Sequence, residues 1–558
     1  MPDLASEATT DFSFGMCDSA APTAFPKTAA ATLYNARIQS DGTVKRRPGS
    51  IRLSAAVLEA GIGYGGARFT TAAGVDQLVV IFGAKAFYSD DYGATWSAAI
   101  ATGLREDYYA FATMRVGATN YLYAANGAAT VQRWDGATWD TLPNVPSGVK
   151  YLAVFNGRLY VTGHSGVLVQ ASKIGDPTTW TSPDGLTVQV HTHAGDTPTA
   201  MFQIGPHLLV WDRHATSYID GYGEQTIIVA TGATGFSRSV GCVAFRSVAG
   251  VGDNGLCWLS ERGVEYYSPN TGIVLVSKSV QQFFDDIDWS ELYANPARIT
   301  AAYDGIDQNY FLALSTKGAR NNRTLVVNLL QNAEWQRRGP RGACSIDVLQ
   351  ATGAGDVLLG SDDGIYLSEV SGSGVESESD TDGYMTLAVG GGDPLGEDAD
   401  GYLSIVTNDT LPATLFTAPS TERATGIYSL GYDGYVRKHF DTADDDTHSD
   451  GTTGVTVTMS VITRPFLMGR PRQRKRVRAI HVSVVSDAAV TLTVAVRGGG
   501  SQATQHTLTF AATALSESRR KRALTHLVAD EPQVEVYAAN DCRLSLVGVS
   551  AELLKESI

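Results

Sequence analysis

Ser89-Asp90-Asp91-Tyr92-Gly93-Ala94-Thr95-Trp96 closes a short apolar run with a Gly/Asp turn and then a Thr-Trp pair. The pattern returns as Trp134-Asp135-Gly136-Ala137-Thr138-Trp139 and as Gly175-Asp176-Pro177-Thr178-Thr179-Trp180. Trp96, Trp139 and Trp180 lie 43 and 41 positions apart. Hairpin content with a period of roughly 40–50 residues predicts a β-propeller, one blade per repeat. A propeller is a scaffold, and its fold alone names no chemistry.

Working outward, short strands joined by turn residues fill 56–370. Leu78–Phe82 pairs with Ala86–Ser89, and Tyr121–Ala125 with Thr130–Trp134. Leu152–Phe155 and Arg158–Thr162 flank Asn156-Gly157, a two-residue hairpin signal because both positions tolerate positive φ. Later pairs include Met201–Ile204 with His207–Trp211, Cys257–Ser260 with Val264–Tyr267, and Val357–Gly360 with Gly364–Leu367. This spacing predicts about six to eight blades. One short helix is expected around Val280–Trp289.

Residues 1–55 read as an N-terminal docking leader, with Phe12, Phe14 and Phe25 available to dock. Residues 371–425 read as an acidic insertion. Between 371 and 410 there are nine acidic residues and no Lys or Arg, which predicts a mobile or poorly packed segment. Glu376, Glu378, Asp380 and Asp382 are its channel-lining candidates; the plainer reading is a solvated surface loop. Residues 426–450 read as a final propeller hairpin around Asp433-Gly434. Residues 451–558 carry alternating strands and read as a C-terminal β-sandwich. The fold class is therefore all-β.

The chain has 558 residues, 43% hydrophobic and 18% charged, with 58 glycines for turns. No apolar stretch reaches the length of a membrane-spanning helix. The first ten residues lack the basic and apolar regions of a secretory signal. Five widely spaced cysteines, with no CxxC pair, read as buried thiols of a reducing compartment. A net charge of −15 argues against a surface that grips nucleic acid throughout, but not against a conduit that DNA slides through.

Ser89, Asp91, Gly93, Thr95 and Trp96 fit the Asp-box pattern. The Ser and Asp serve their own turn and the Trp packs between blades, so the role is structural. No arginine cluster, Gly-x-Ser-x-Gly elbow, HExxH or Walker A run accompanies it, so no catalytic residue, cofactor or metal is assigned. His191-x-His193 puts two imidazoles on one strand face without a third ligand. The densest charge feature is Arg464–Arg478, where seven of fifteen residues are basic; Arg519-Arg520-Lys521-Arg522 adds four. Such segregation in an acidic chain points to an anionic partner, or to cations guarding a strand edge.

Two segments carry a family resemblance. Asn35-Ala36-Arg37, Asp41-Gly42-Thr43-Val44 and Arg46-Arg47-Pro48-Gly49 resemble the opening of tail nozzle proteins of short-tailed bacteriophages, also called tail tubular protein B or packaged-DNA stabilization proteins. Tyr432–Val436, Thr463–Phe466, Gly469-Arg470-Pro471 and Lys475–Ile480 are similar to a late strand pair and basic strand of that family. The resemblance implies a non-enzymatic structural protein of the virion tail, made in the bacterial host cytoplasm. It implies a homo-oligomeric ring, hexameric by family expectation, that meets a tail adaptor and carries tail fibres or spikes. Genomic DNA would be retained by its lumen and pass through it at ejection. Arg46, Arg47, Arg464, Arg470, Arg472, Arg474, Lys475, Arg476 and Arg478 become the subunit- or adaptor-binding candidates. Two alternatives stand beside it: a receptor- or glycan-binding propeller of a virion, and a sialidase-like glycan-cleaving enzyme.

Overall fold

The computed structural model describes residues 4–54, 56–166, 168–190, 196–220, 228–231, 237, 239–252, 255–305, 307–316, 321–329, 343–348, 357–360, 375–379, 385–389, 427–431, 434–439, 445–447, 454–469, 473–498, 501–502, 505–512 and 518–554. Its first blade pairs Gly63–Thr70, Asp76–Phe82, Lys85–Ser89 and Ala101–Thr102 in antiparallel order. Leu78 to Phe82 are all buried, because a blade's second strand is covered on both faces by its neighbours. Tight turns set the register. Asn156 and Gly157 both have positive φ, 47° and 69°, as a type I′ hairpin requires.

Five more such units follow in chain order. The second runs from Ala110–Val116 to Trp139–Thr141 and the third from Tyr151–Phe155 to Leu186–Gln189. The fourth runs from Ala200–Ile204 to Ile228–Thr231 and the fifth from Ala249–Val251 to Gly272–Leu275. The sixth comprises Thr300–Asp304, Asn309–Leu314, Arg323–Asn328 and Ala343–Val348. Aromatic side chains pack between successive blades. Trp134 of the second lies 5.6 Å from Tyr88 of the first, and Trp211 of the fourth 5.5 Å from Trp258 of the fifth.

The seventh sheet is assembled from distant parts of the chain. Val357–Gly360 pairs with Ile427–Leu430, then Val436–His439, and its outer strand is Ser50–Arg52 from the N-terminal region. Residues 364–367, the expected partner of Val357–Gly360, lie outside the described residues. The second strand comes only after residues 363–425, which form a second unit. In that unit Val375–Ser379 pairs antiparallel with Met385–Val389. The seventh sheet abuts the first: a Cβ on Gly63 would lie 2.4 Å from that of Leu430, so only glycine fits there.

The sandwich is built from both ends of the chain. One sheet orders Ala36–Ile38, Val44–Arg46, Arg543–Leu553, Lys475–Val485 and Arg519–Ala529, with Leu4–Thr9 also on Arg543–Leu553. The facing sheet orders Ala29–Tyr34, Met459–Thr463, Gln533–Ala538 and Val490–Gly498. It continues through Gly15–Met16 into the sixth blade. Val477, Ile480, Val482 and Val484 meet Val461, Val494, Val496 and Val536 in one core, which also reaches Leu259 and Phe284 beside the fifth blade. The expected leader is thus woven into three sheets. The expected helix is Gln281–Asp285. A second, Trp289–Ala294, starts where the expectation stopped, capped by the Asp288 carboxylate, which accepts from the Ser290 and Glu291 amides.

Candidate binding face of the propeller

Alternating strand direction puts two kinds of connection at one end of every blade: the turn between its second and third strands, and the link to the next blade. Polar and aromatic side chains gather at that end. Near the axis, Tyr64 of the first blade meets Tyr108 edge-on at 5.5 Å. The turn Phe245–Ser247 enters from between the fourth and fifth blades. Phe245 lies 5.0 Å from Tyr151 of the third blade, and Arg246 sits 5.2 Å from the ring of Tyr108 at the second. A single turn therefore touches side chains of the second and third blades. Burial pushes the Tyr151 hydroxyl up to about 12, so this ring is an apolar filler.

The densest cluster lies farther out, at the seam of the fourth and fifth blades. The fourth blade's turn supplies Asp212, Arg213 and His214; the fifth's supplies Glu261; the link before the fourth supplies Asp196. His214 Nδ1 makes a short hydrogen bond with Asp196, and its Nε2 lies 3.6 Å from Glu261. Arg213 Nε donates to Glu261 Oε1 at 2.6 Å, and the Tyr293 hydroxyl donates to the same oxygen at 3.1 Å. The guanidinium of Arg213 lies 3.4 Å from the centre of the Tyr293 ring. Burial works against the Arg213 charge, but the bonds to Glu261 and Tyr293 outweigh it and raise its pKa. The charged groups are a fifth to two-fifths exposed, so solutes reach them.

This cluster offers a flat ring, a fixed guanidinium and carboxylate oxygens side by side. Oxygen and nitrogen atoms of Asp196, Asp212 and His214 lie within 4.8 Å of one another, close enough for a cation. Asp212, however, is buried and its Oδ1 accepts from the amides of His214 at 2.7 Å and Ala215 at 2.5 Å, which fixes the turn. Nothing in the sequence flagged the cluster, because its members come from four connections between Asp196 and Tyr293. His191 and His193 lie outside the described residues.

The Asp-box residues stand where the turn chemistry puts them. Ser89 Oγ donates to Asp91 at 2.8 Å and accepts from the Gly93 amide at 2.6 Å. Asp91 accepts from the Thr95 amide and hydroxyl. Burial raises the Asp91 carboxyl, but the bonds from Thr95 and Ser89 prevail and hold it below its ordinary value. Trp96 is half-buried. Asp135 and Asp176 repeat the arrangement with Thr138 and Thr178.

The basic candidates divide. Arg46 and Arg47 are each 3% exposed, Arg464 is 7% and Lys475 fully buried. Arg46 donates to the Val457 carbonyl and Arg47 to Asn35 Oδ1. Arg464 pairs with Glu7 at 2.7 Å, and Lys475 donates to the carbonyls of Gln473 and Asp530. These four take interior roles: Arg46 and Arg464 tie the leader to the sandwich, Arg47 braces the leader, and Lys475 braces the sandwich. Arg474, Arg476 and Arg478 are at the surface, the last two facing Glu552 at 3.9 and 2.7 Å. Arg470 and Arg472 lie outside the described residues. Glu376 and Glu378 lie on Val375–Ser379, while Asp380 and Asp382 lie outside the described residues.

No family model matches the chain, and no curated protein does. Among solved structures, the chain is similar to the extracellular domain of a putative hybrid two component system from B. thetaiotaomicron. Identity is 11% and the TM-score 0.31, over 52% of this chain and 35% of that one. PorZ of Porphyromonas gingivalis, a surface component of the type-IX secretion system, gives 12% identity and a TM-score of 0.31 over 49% and 31%. An exo-β-1,3-galactanase from Phanerochaete chrysosporium gives 10% and 0.23 over 79% and 95%. The chain spans about a third of the length of the first two. Likeness at these scores transfers neither ligand nor chemistry.

Proposed function

We propose that the protein is a glycan-binding β-propeller that does not cleave its ligand. The observation that carries this reading is the Arg213–Tyr293–Glu261–His214 cluster at the seam of the fourth and fifth blades. The Arg213 guanidinium, held against the half-buried Tyr293 ring, and the carboxylate oxygens of Glu261 and Asp196 take the hydroxyls of a sugar ring. Glycosidic cleavage needs one carboxyl held protonated near neutral pH. Among the described residues, two carboxyls are raised by burial, Asp18 and Glu265, and both are spent on structure. Asp18 accepts from the amides of Gln282 and Phe283, and fully buried Glu265 is bonded by Ser260 and Arg262. At the seam both outer carboxylates already have cationic or imidazole partners.

A glycan microarray tests the proposal, followed by calorimetry on the best hit with Arg213→Ala and Tyr293→Ala. Loss of the charge-assisted contact, or of the ring that holds the guanidinium in place, should weaken binding by about ten-fold or more in each case. No hit on the array, or hits that both variants retain, would refute it.

The tail nozzle is a second reading, favoured by one observation. The first segment that carries that resemblance folds onto the stretch that leads into Met459–Thr463: Arg47 binds Asn35, Asn35 donates to the Thr458 carbonyl at 3.0 Å, and Arg46 to that of Val457 at 3.2 Å. A motif shared for folding reasons behaves this way. Mass photometry with negative-stain imaging separates the readings, since a nozzle assembles into channelled rings.

A further inference from the structure

We propose that the strand Arg519–Ala529 is a docking edge for an extended acidic segment of another polypeptide, added to the sandwich as a further strand. The strand is eleven residues long and stands last in its sheet, pairing only with Lys475–Val485 among the described residues. Its other edge pairs with none of the described strands and offers a row of main-chain donors and acceptors. An open edge of this length is a template for strand addition unless something blocks it.

Its side chains select what can be added. Ala523, Thr525 and Ala529 point into the sandwich and are buried. Arg520, Arg522, Leu524, His526 and Val528 alternate with them and are exposed. Arg522 stands opposite His481 and Arg520 opposite Ser483, so the cations crowd the neighbouring strand as well. Burial and then the charges of Arg520 and Arg522 lower the pKa of His481. Arg519, Arg520, Lys521 and Arg522 have no ion pair among the described residues; the Lys521 ammonium donates to the Thr509 carbonyl and lies 5.5 Å from the centre of the Phe510 ring.

Cations on an edge also serve as guards against pairing. A guard, however, gains nothing from apolar neighbours on the same face. Here Leu524 is 63% and Val528 41% exposed, two of the few large apolar side chains left in water. Cations at one end, apolar groups along the rest and an open backbone edge together fit a polypeptide strand with acidic residues toward one end. A nucleic acid would satisfy only the cations. Charge complementarity, in a chain of −15 overall, favours an acidic partner drawn to this basic strand.

The test uses the full chain and a fluorescein-labelled, strand-length peptide of alternating glutamate and valine. Two probes accompany it: the same peptide with proline at alternate positions, and oligothymidylate. Saturable anisotropy is expected with the first peptide, together with slowed amide exchange confined to residues 519–529. Arg520→Glu with Arg522→Glu should weaken binding by about ten-fold or more. Leu524→Thr should weaken it several-fold. All three residues are exposed, so the variants keep the fold, which circular dichroism checks. No saturable binding, equal binding of the proline peptide, or binding of oligothymidylate alone would overturn the proposal.

Discussion

Replacing Trp134 by alanine should open the seam between the first two blades. The indole is 1% exposed, packs with Phe69, Val79 and Leu122, and lies 6.3 Å from Trp139 as well as against Tyr88. Its Nε1 donates to Gln77 Oε1 at 2.9 Å, and Gln77 is itself buried. Deleting a buried tryptophan side chain costs about 3–5 kcal/mol. Leaving the Gln77 oxygen without a donor contributes about 1–3 kcal/mol of such a loss. Trp134→Phe keeps a ring in the seam and should cost about 1–3 kcal/mol, chiefly through that lost bond. Adding Gln77→Leu to Trp134→Phe removes both partners and should return about 1 kcal/mol. A chain of this size does not unfold in one step, so the readout is amide exchange along residues 63–141 under mild urea. If Trp134→Phe were as damaging as Trp134→Ala, or if Gln77→Leu made matters worse, the hydrogen-bond argument would be wrong.

Three further outcomes are expected. Thr178 hydrogen bonds, outweighing burial, hold the Asp176 carboxyl below its ordinary value. Its stabilising contribution is therefore present above about pH 4 and lost as pH falls through the lower folded value. Amide exchange over 168–189 should accelerate below that pH, and Asp176→Asn should remove the dependence. The five cysteines are buried, and burial pushes the Cys242, Cys344 and Cys542 thiols up to about 12. A thiol reagent such as DTNB should leave the native protein untouched for hours and titrate all of them only in denaturant. Lys475→Met should destabilise the sandwich by about 1–3 kcal/mol by stranding two carbonyls. Exposed Arg474→Ala should stay within about 0.5 kcal/mol; thermal melts compare the two.

The repeat of hairpins was legible because turn chemistry is local. Asn156-Gly157, Gly83 and the Asp-box carboxylates act within a few residues, so their spacing reveals the blades. What escaped is non-local. Ser50–Arg52 becomes the outer strand of the seventh sheet through pairing with residues near 438, and no local signal marks that. In the sequence Arg519–Ala529 reads as a charge cluster, because four consecutive cations hide its alternation. Arg46, Arg47, Arg464 and Lys475 read as surface, since charge usually means exposure. Their guanidinium and ammonium groups instead bind carbonyls and Glu7 inside the chain. The seam cluster needed the blade order before its parts could be seen together.

The central claim is that the ligand sits against the Arg213–Tyr293 pair at the seam of the fourth and fifth blades. A structure of the protein bound to its tightest array glycan tests it most directly. The account predicts a sugar ring beside the Arg213 guanidinium, with hydroxyls bonded to Arg213 and Glu261. A glycan seated elsewhere, on the sandwich or at the opposite end of the blades, would contradict it.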